Sequence, residues 1–391
     1  MKKPIYLACL ALLTLSAQAV PYLPASGGQV IEVLPSRNDP LQRQLQRLRA
    51  ELAARPQDLD LATGLARRYV GLARSETDPR YLGYAQAALA PWWRLAAPPV
   101  AVRILRATLL QSTHQFPAAL ADLDAVLKTD PGNAQAWLTR ATVLTVQGEY
   151  AQATASCARL STLATELVAI TCISSVAGVT GRAGQGERLL ELTLQRSTGA
   201  EMELQVWALT LLAEMAGRRG DAAVAEQRFR RALALAPGDS YLRAAYADFL
   251  LDQQRPADVI KLVGDQSRID ALLLRHALAL QQIPGAQSAL AAADAELRAR
   301  FNAAMQRGDS VHQREQARYE LQLHRDARTA LRLAQQNWAV QKEPADLRIY
   351  LEAALMARDG AAAAPALDWI RRHGVQDVAA LKLARQLKAG A

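Results

Sequence analysis

The stretch that decides the fold is "LAEMAGRRGDAAVAEQRFRRALALAP", Leu212 to Pro237. Its smallest residues, Ala213, Gly220, Ala225 and Ala232, stand at fixed places in an otherwise helix-forming sequence. The pair Gly220-Asp221 breaks the middle and Pro237 closes the end. Glycine adopts the left-handed conformation that ends a helix at little steric cost. An aspartate after it can accept hydrogen bonds from the free amides that open the next helix. Proline stops a helix because it lacks the amide the ladder needs. The stretch therefore predicts two antiparallel helices crossing at Ala213 and Ala225, where larger side chains would push them apart. Phe229 is placed to fill the gap between this hairpin and the next. One hairpin of this kind cannot bury its own apolar face, so neighbours must stack and share a core.

Outward from this stretch the same spacing recurs. From about Pro40 onward apolar residues return every three or four positions, with almost no strand-like alternation. Pro131-Gly132 and Pro237-Gly238 close similar runs. Ala107, Ala119, Leu123 and Pro131 hold places equivalent to Ala213, Ala225, Phe229 and Pro237. The following window carries Trp137, Ala141, Gly148, Glu149, Tyr150, Ala153 and Cys157 at matching offsets. The period is about 34 residues, a length known for stacked helical hairpins.

These windows resemble tetratricopeptide repeats. That pattern is an aromatic, then Leu-Gly/Ala-x-x-Tyr, a Gly-Asp type of turn, then Ala, a large apolar residue, Ala and Pro. Leu212–Pro237 follows it nearly throughout, with Ala216 in place of the tyrosine. The match is clear over residues 100–167 and 206–264 and looser over 59–99 and 168–205. Beyond 265 only the hairpin rhythm remains. The resemblance implies an all-α fold, a right-handed α-solenoid of antiparallel helix hairpins. It divides the chain into repeats over 40–264 and degenerate helical repeats over 265–391, the last helix serving as a cap.

In that superfamily the first helix of each hairpin lines a concave groove that holds a protein or peptide partner. Carrying the register over gives Arg67, Gln111, Gln135, Thr142, Thr145, Trp207, Glu214, Arg218, Tyr241, Asp248 and Asp252 as candidate groove residues. Trp207 and Tyr241 are the expected aromatic anchors of the later half. Arg218 and Asp252 would offer opposite charges about three turns further along. Nothing matches the lysine and asparagine clamp with which some members of the superfamily hold a chaperone tail.

The N-terminus carries a separate signal. Lys2 and Lys3 precede an apolar run from Ile5 to Leu15, and Ala17-Gln18-Ala19 supplies the small residues a signal peptidase accepts. Residues 1–19 are expected to be a secretory leader, and residues 20–39 an arm rich in proline and glycine. The apolar run is too short to span a bilayer, and no later stretch is long enough. An exported, periplasmic protein of bacterial type is expected. The formal net charge is +9, of which Lys2 and Lys3 belong to the leader. The remaining surplus is small and forms no basic run or aromatic-basic motif, so no nucleic-acid partner is expected.

Chemistry is sparse. There is no Gly-x-Ser-x-Gly, His-Glu-x-x-His, Cys-x-x-Cys or phosphate-loop lysine. "GVTGRAGQGE", Gly178 to Glu187, lacks a preceding strand and a Lys-Ser/Thr pair, and fits a repeat turn. Glu320 and His324 lie four apart on one predicted helix face, with His312 nearby. Such a set can hold a transition metal, although a solvated polar face explains it equally. No metal or cofactor is expected. Cys157 and Cys172 sit on adjacent predicted helices, and export permits a disulfide between them. Two functions follow: a non-catalytic envelope scaffold, or an envelope enzyme on a helical superhelix, such as a peptidoglycan-cleaving lyase. The helical rhythm runs to the last residues and leaves no room for a lysozyme-like domain, which favours the scaffold.

Overall fold

The computed structural model describes residues 39–389 apart from 77, 265–267, 307 and 309–312. The expected leader, nearly all of the arm, and His312 lie outside the described residues. The chain divides into two compact units, Met1–Glu51 and Leu52–Ala391. Helix α1 (Pro40–Ala54) begins in the first and ends just past its boundary; it starts at Asp39, whose carboxylate accepts from the Leu41 amide at 2.9 Å.

The second unit is all-α among its described residues. Its helices are α2 (Leu59–Ser75), α3 (Arg80–Ala88), α4 (Ala90–Trp93), α5 (Val100–Ser112), α6 (Phe116–Thr129), α7 (Ala134–Gln147), α8 (Tyr150–Arg159), α9 (Glu166–Ala177) and α10 (Ala183–Arg196). They continue as α11 (Met202–Arg219), α12 (Ala222–Leu235), α13 (Ser240–Asp252), α14 (Pro256–Val263), α15 (Asp270–Leu280) and α16 (Gln287–Gln306). The last are α17 (Gln313–Gln322), α18 (Ala327–Val340), α19 (Pro344–Met356), α20 (Ala364–His373) and α21 (Val378–Ala389). Short turns join successive helices into antiparallel pairs, such as α5 with α6, α7 with α8, α11 with α12 and α17 with α18. The first helices also touch one another in series, from α2 through α5, α7, α9, α11, α13, α15, α17 and α19 to α21. The result is a solenoid of helix hairpins with the first helices as one continuous layer.

The turn chemistry explains why hairpins form here. Gly148 and Gly220 end α7 and α11 with φ of 81° and 90°. Asp221 then accepts from the Val224 amide at 3.3 Å. Asp58, Asn133, Asp239 and Asp326 cap α2, α7, α13 and α18 in the same way. In four other hairpins the same place is held by His114, Gln254, Arg325 and Arg358, all at positive φ. A left-handed residue with a side chain costs about 1–2 kcal/mol. The packing of the hairpins overcomes that cost, so the geometry persists where the glycine signal has gone.

Ala213 and Ala225 are fully buried at the crossing of α11 and α12. Phe229 stacks on Tyr246 with ring centroids 5.1 Å apart, which fastens α12 to α13. Burying such a ring contributes about 1.5–3 kcal/mol. Glycine serves closeness at Gly186, where an added Cβ would come within 2.7 Å of the Ala177 Cβ. Cys157 and Cys172 are bonded, with Cα atoms 5.5 Å apart, and link α8 to α9.

Contacts also run between distant hairpins. The Lys342 amide donates to the Val146 carbonyl at 2.7 Å, and the Gly181 amide to the His373 carbonyl at 2.9 Å. Gln376 donates its side-chain amide to the Gly181 carbonyl at 3.0 Å. The Trp369 indole packs on the cluster around Tyr150, Cys157 and Cys172. A Cβ on Gly148 would stand 2.2 Å from that indole, so only glycine leaves the seat open. The segment from Lys342 to Val378 thus meets the turns of the α7–α8, α9–α10 and α11–α12 hairpins, and the solenoid closes on itself.

Candidate functional site

The layer of first helices carries a chain of charged side chains. Asp248 on α13 receives Arg275 of α15 at 2.7 Å and Arg318 of α17 at 2.5 Å. Arg275 reaches on to Glu315 of α17 at 2.8 Å. Arg314 of α17 pairs with Glu343 at 2.5 Å, beside the start of α19. Arg348 of α19 grips both oxygens of Asp252 on α13, at 2.6 and 2.7 Å. It also holds Glu352 at 2.8 Å. Bidentate guanidinium–carboxylate pairs fix geometry as well as charge. Arg275 with Asp248 and Glu315 therefore ties one first helix to the next, while Arg318 ties α17 to α13 and Arg348 ties α19 to α13.

Titration follows this geometry. Burial pushes Asp248 up, but Arg275 and Arg318 together outweigh it and hold the carboxyl at about 2. Burial also opposes ionisation of Glu315, which Arg275, Arg314 and Arg318 nevertheless hold below its ordinary value. At Asp346 burial wins. Its carboxyl is pushed up to about 6, although Arg314 opposes the shift. Three donors satisfy that buried carboxylate: Asn337 at 2.8 Å, Gln341 at 3.2 Å and the Glu343 amide at 2.8 Å.

The candidate groove residues fall into distinct settings. Arg67, Gln135 and Thr142 are exposed, and Gln111 and Thr145 are half-buried. Thr142 and Thr145 donate back to the carbonyls of Leu138 and Ala141 in their own helix. Tyr241 is 63% exposed, and its hydroxyl donates to Glu214 at 2.8 Å. The negative charge of Glu214 pushes the phenol well above its ordinary value. Burial raises Glu214 in turn, against Arg218. Trp207 is half-buried against the cluster that holds Tyr150 and the disulfide, so its ring is partly a packing group. Arg218 and Asp252 are not free opposite charges. Asp252 is taken by Arg348. Arg218 faces a small void, about 20 Å³, lined also by Lys342, Glu343, Trp369 and Asp377.

A larger cleft of about 550 Å³ opens where α13, α15, α17, α19 and α21 end. Leu278, Leu321 and Leu355 give it an apolar floor, and Asp252, Arg318 and Gln322 a polar wall. Of these, only Asp252 was among the expected groove residues. Arg318, Arg348 and Glu352 lie beyond residue 265, where the repeat pattern fades. Their i, i+4 spacing along first helices, as in Arg314 with Arg318 and Arg348 with Glu352, was the available signal. Glu320 and His324, the two described members of the weak metal candidate, belong to no group of three metal-ligating side chains among the described residues. His324 instead meets Asp294 at 2.8 Å, an oxygen that also accepts from Tyr319 at 2.7 Å.

A tetratricopeptide repeat family model matches residues 177–307. That match supports tetratricopeptide repeats over those residues. Comparison with curated protein sequences gave no match. Among solved structures, a chain of the APC/C hetero-tetramer Cut9-Hcn1 is 12% identical, with a TM-score of 0.39, covering 88% of this chain and 52% of that one. This protein thus spans about half the length of that relative. A tetratricopeptide repeat protein from Parabacteroides merdae is 13% identical, with a TM-score of 0.33, over 82% of this chain and 99% of that one. The human IFIT1 dimer with m7Gppp-AAAA is 14% identical, with a TM-score of 0.40, over 90% and 87%. At these identities and scores no function is carried over from them.

Proposed function

We propose that this protein is a non-catalytic scaffold of the cell envelope that holds a protein or peptide partner along the layer of its first helices. The observation that carries the proposal is the 550 Å³ cleft on that layer, with leucines below and arginine, aspartate and glutamine around it. Binding sites combine an apolar floor with a few placed polar groups in this manner. An enzyme is disfavoured because the acids along the layer are engaged. Asp248, Asp252, Glu315 and Glu352 each lie on an arginine. Pairs of this kind suit carboxylates that brace neighbouring helices. The envelope location rests on Lys2-Lys3, the Ile5–Leu15 run and Ala17-Gln18-Ala19.

Two experiments test the proposal. Mass spectrometry of the protein from its native cells should show Val20 as the first residue. An intact Met1 would overturn the location. A photo-crosslinking residue at Met356, 40% exposed at the cleft, should capture one specific partner in intact cells. The same residue at Leu192, 56% exposed on α10, should not. Equal capture at both positions would overturn the assignment of the binding face.

A further inference from the structure

We propose that Lys342–Glu343 and Trp369–Val378 together act as a strap: seating Trp369 over Gly148 closes the solenoid and covers the layer beside α11, and its release uncovers that part of the layer for a partner. This rests on the binding function proposed above.

Three observations carry it. The closing contact is narrow compared with the broad apolar seams between neighbouring hairpins. It includes two backbone hydrogen bonds, one from the Gln376 side chain, the indole in its seat and His373 edge-on to Tyr150, with the Arg348–Asp252 pair further along. The seat is specific, because Gly148 is shaped to the indole edge and Tyr150 meets the same ring edge-on at 5.7 Å. The strap also covers a side chain that has unused capacity. Arg218, expected from sequence in the groove, is only 17% exposed behind it. Its nearest acid, Glu214, stands off at 3.9 Å, and its buried Nε has no hydrogen-bond partner among the described residues. A buried guanidinium nitrogen left unpaired is costly. The void beside it, about 20 Å³, has room for no more than a water molecule. Closure therefore leaves the Arg218 Nε with room for one water at most, and opening restores it to bulk water or to the carbonyl and carboxylate oxygens of a partner.

The full-length protein carries its own reporters. The amides of Lys342 and Gly181 each make their hydrogen bond across the closing contact. Under native conditions they should exchange with deuterium roughly 100-fold faster than core amides of α11 and α12, through a partial opening. Exchange of both at the rate of global unfolding would overturn the proposal. In Trp369→Ala and, independently, Gly148→Asn, the two amides should exchange faster still, while α11 and α12 keep their protection. Asparagine tolerates the left-handed backbone, and its Cβ fills the seat. With Arg218→Cys added as a reporter, its thiol should react with a maleimide at least about tenfold faster in either variant, because local opening sets access to buried sites. Unchanged reactivity in a folded variant would count against the strap. None of these measurements needs the partner. If they fail, the binding function still stands, and a protein without partners could still open its strap.

Discussion

The carboxylates of Asp248 and Asp346 are both drawn away from water, yet they titrate in opposite directions. Asp248 is held at about 2, below its ordinary 3.8. Its contribution to stability is therefore present above pH 4 and is lost as the pH falls through 2. Asp346 is raised to about 6. Its contribution is full below pH 4 and disappears as the pH rises through 6. The melting temperature, followed by circular dichroism, should rise as the pH falls from 7 to 5 and collapse between 4 and 2. Asp346→Asn should flatten the first limb and Asp248→Asn the second. An undiminished rise in Asp346→Asn would place its source elsewhere. Trp207 gives the second prediction at this scale. Its ring is partly sunk in the disulfide cluster, so Trp207→Ala should destabilise by about 2 kcal/mol or more, measured by urea denaturation. An unchanged midpoint would return Trp207 to a purely binding role. Gly220, Asp221 and Phe229 were legible in the sequence because each answers a local steric or hydrogen-bonding demand. The setting of Trp207 was not, because α11 buries Val206 before it and Ala208, Leu209, Thr210, Leu211 and Leu212 after it. A helix apolar on nearly all sides has no single stripe to reveal which face lines the groove.

At the level of elements, the disulfide makes the sharpest expectation. Cys157 and Cys172 are 0% and 2% exposed, so a reductant reaches them only when α8 and α9 separate. Protein prepared from an oxidising compartment should show no free thiol in denaturant. Reduction should lower stability by roughly 3 kcal/mol, the chain-entropy value for a loop of about 15 residues. Two free thiols in the native protein would rule the bond out. Several hairpins of the first two thirds could be read because glycines and capping residues mark their turns, as at Gly148 and Gly220, although His114 and Gln254 already take that place without a glycine. In the last third Arg325 and Arg358 take the left-handed place instead, and the turn signal disappears although the turn remains. The ion pairs of the first-helix layer were hidden for another reason. Arg348 and Asp252 are 96 positions apart, and helical periodicity places a charge on a face without naming its counterpart.

For the molecule as a whole, the repeat pattern carried the stacking but not the closure. Each hairpin adds a small rotation to the last, and whether the sum brings Lys342 to Val146 depends on angles that no residue type encodes. The closure has a consequence in time. Contacts within a hairpin form between residues a few turns apart, whereas Gln376 meets Gly181 across 195 positions. Entropy disfavours such long loops, and contacts of high sequence separation are slow to form. If the chain crosses a membrane amino end first, the seat at Gly148 emerges and folds well before Trp369 arrives. In refolding followed by pulsed deuterium labelling, the Lys342 and Gly181 amides should gain protection after those of α7 to α12. Simultaneous protection would mean that the closing contact belongs to the folding nucleus. On that order of events, the chain would pass through an open, helical intermediate each time it is made, with the Gly148 seat vacant until its own last hairpins arrive.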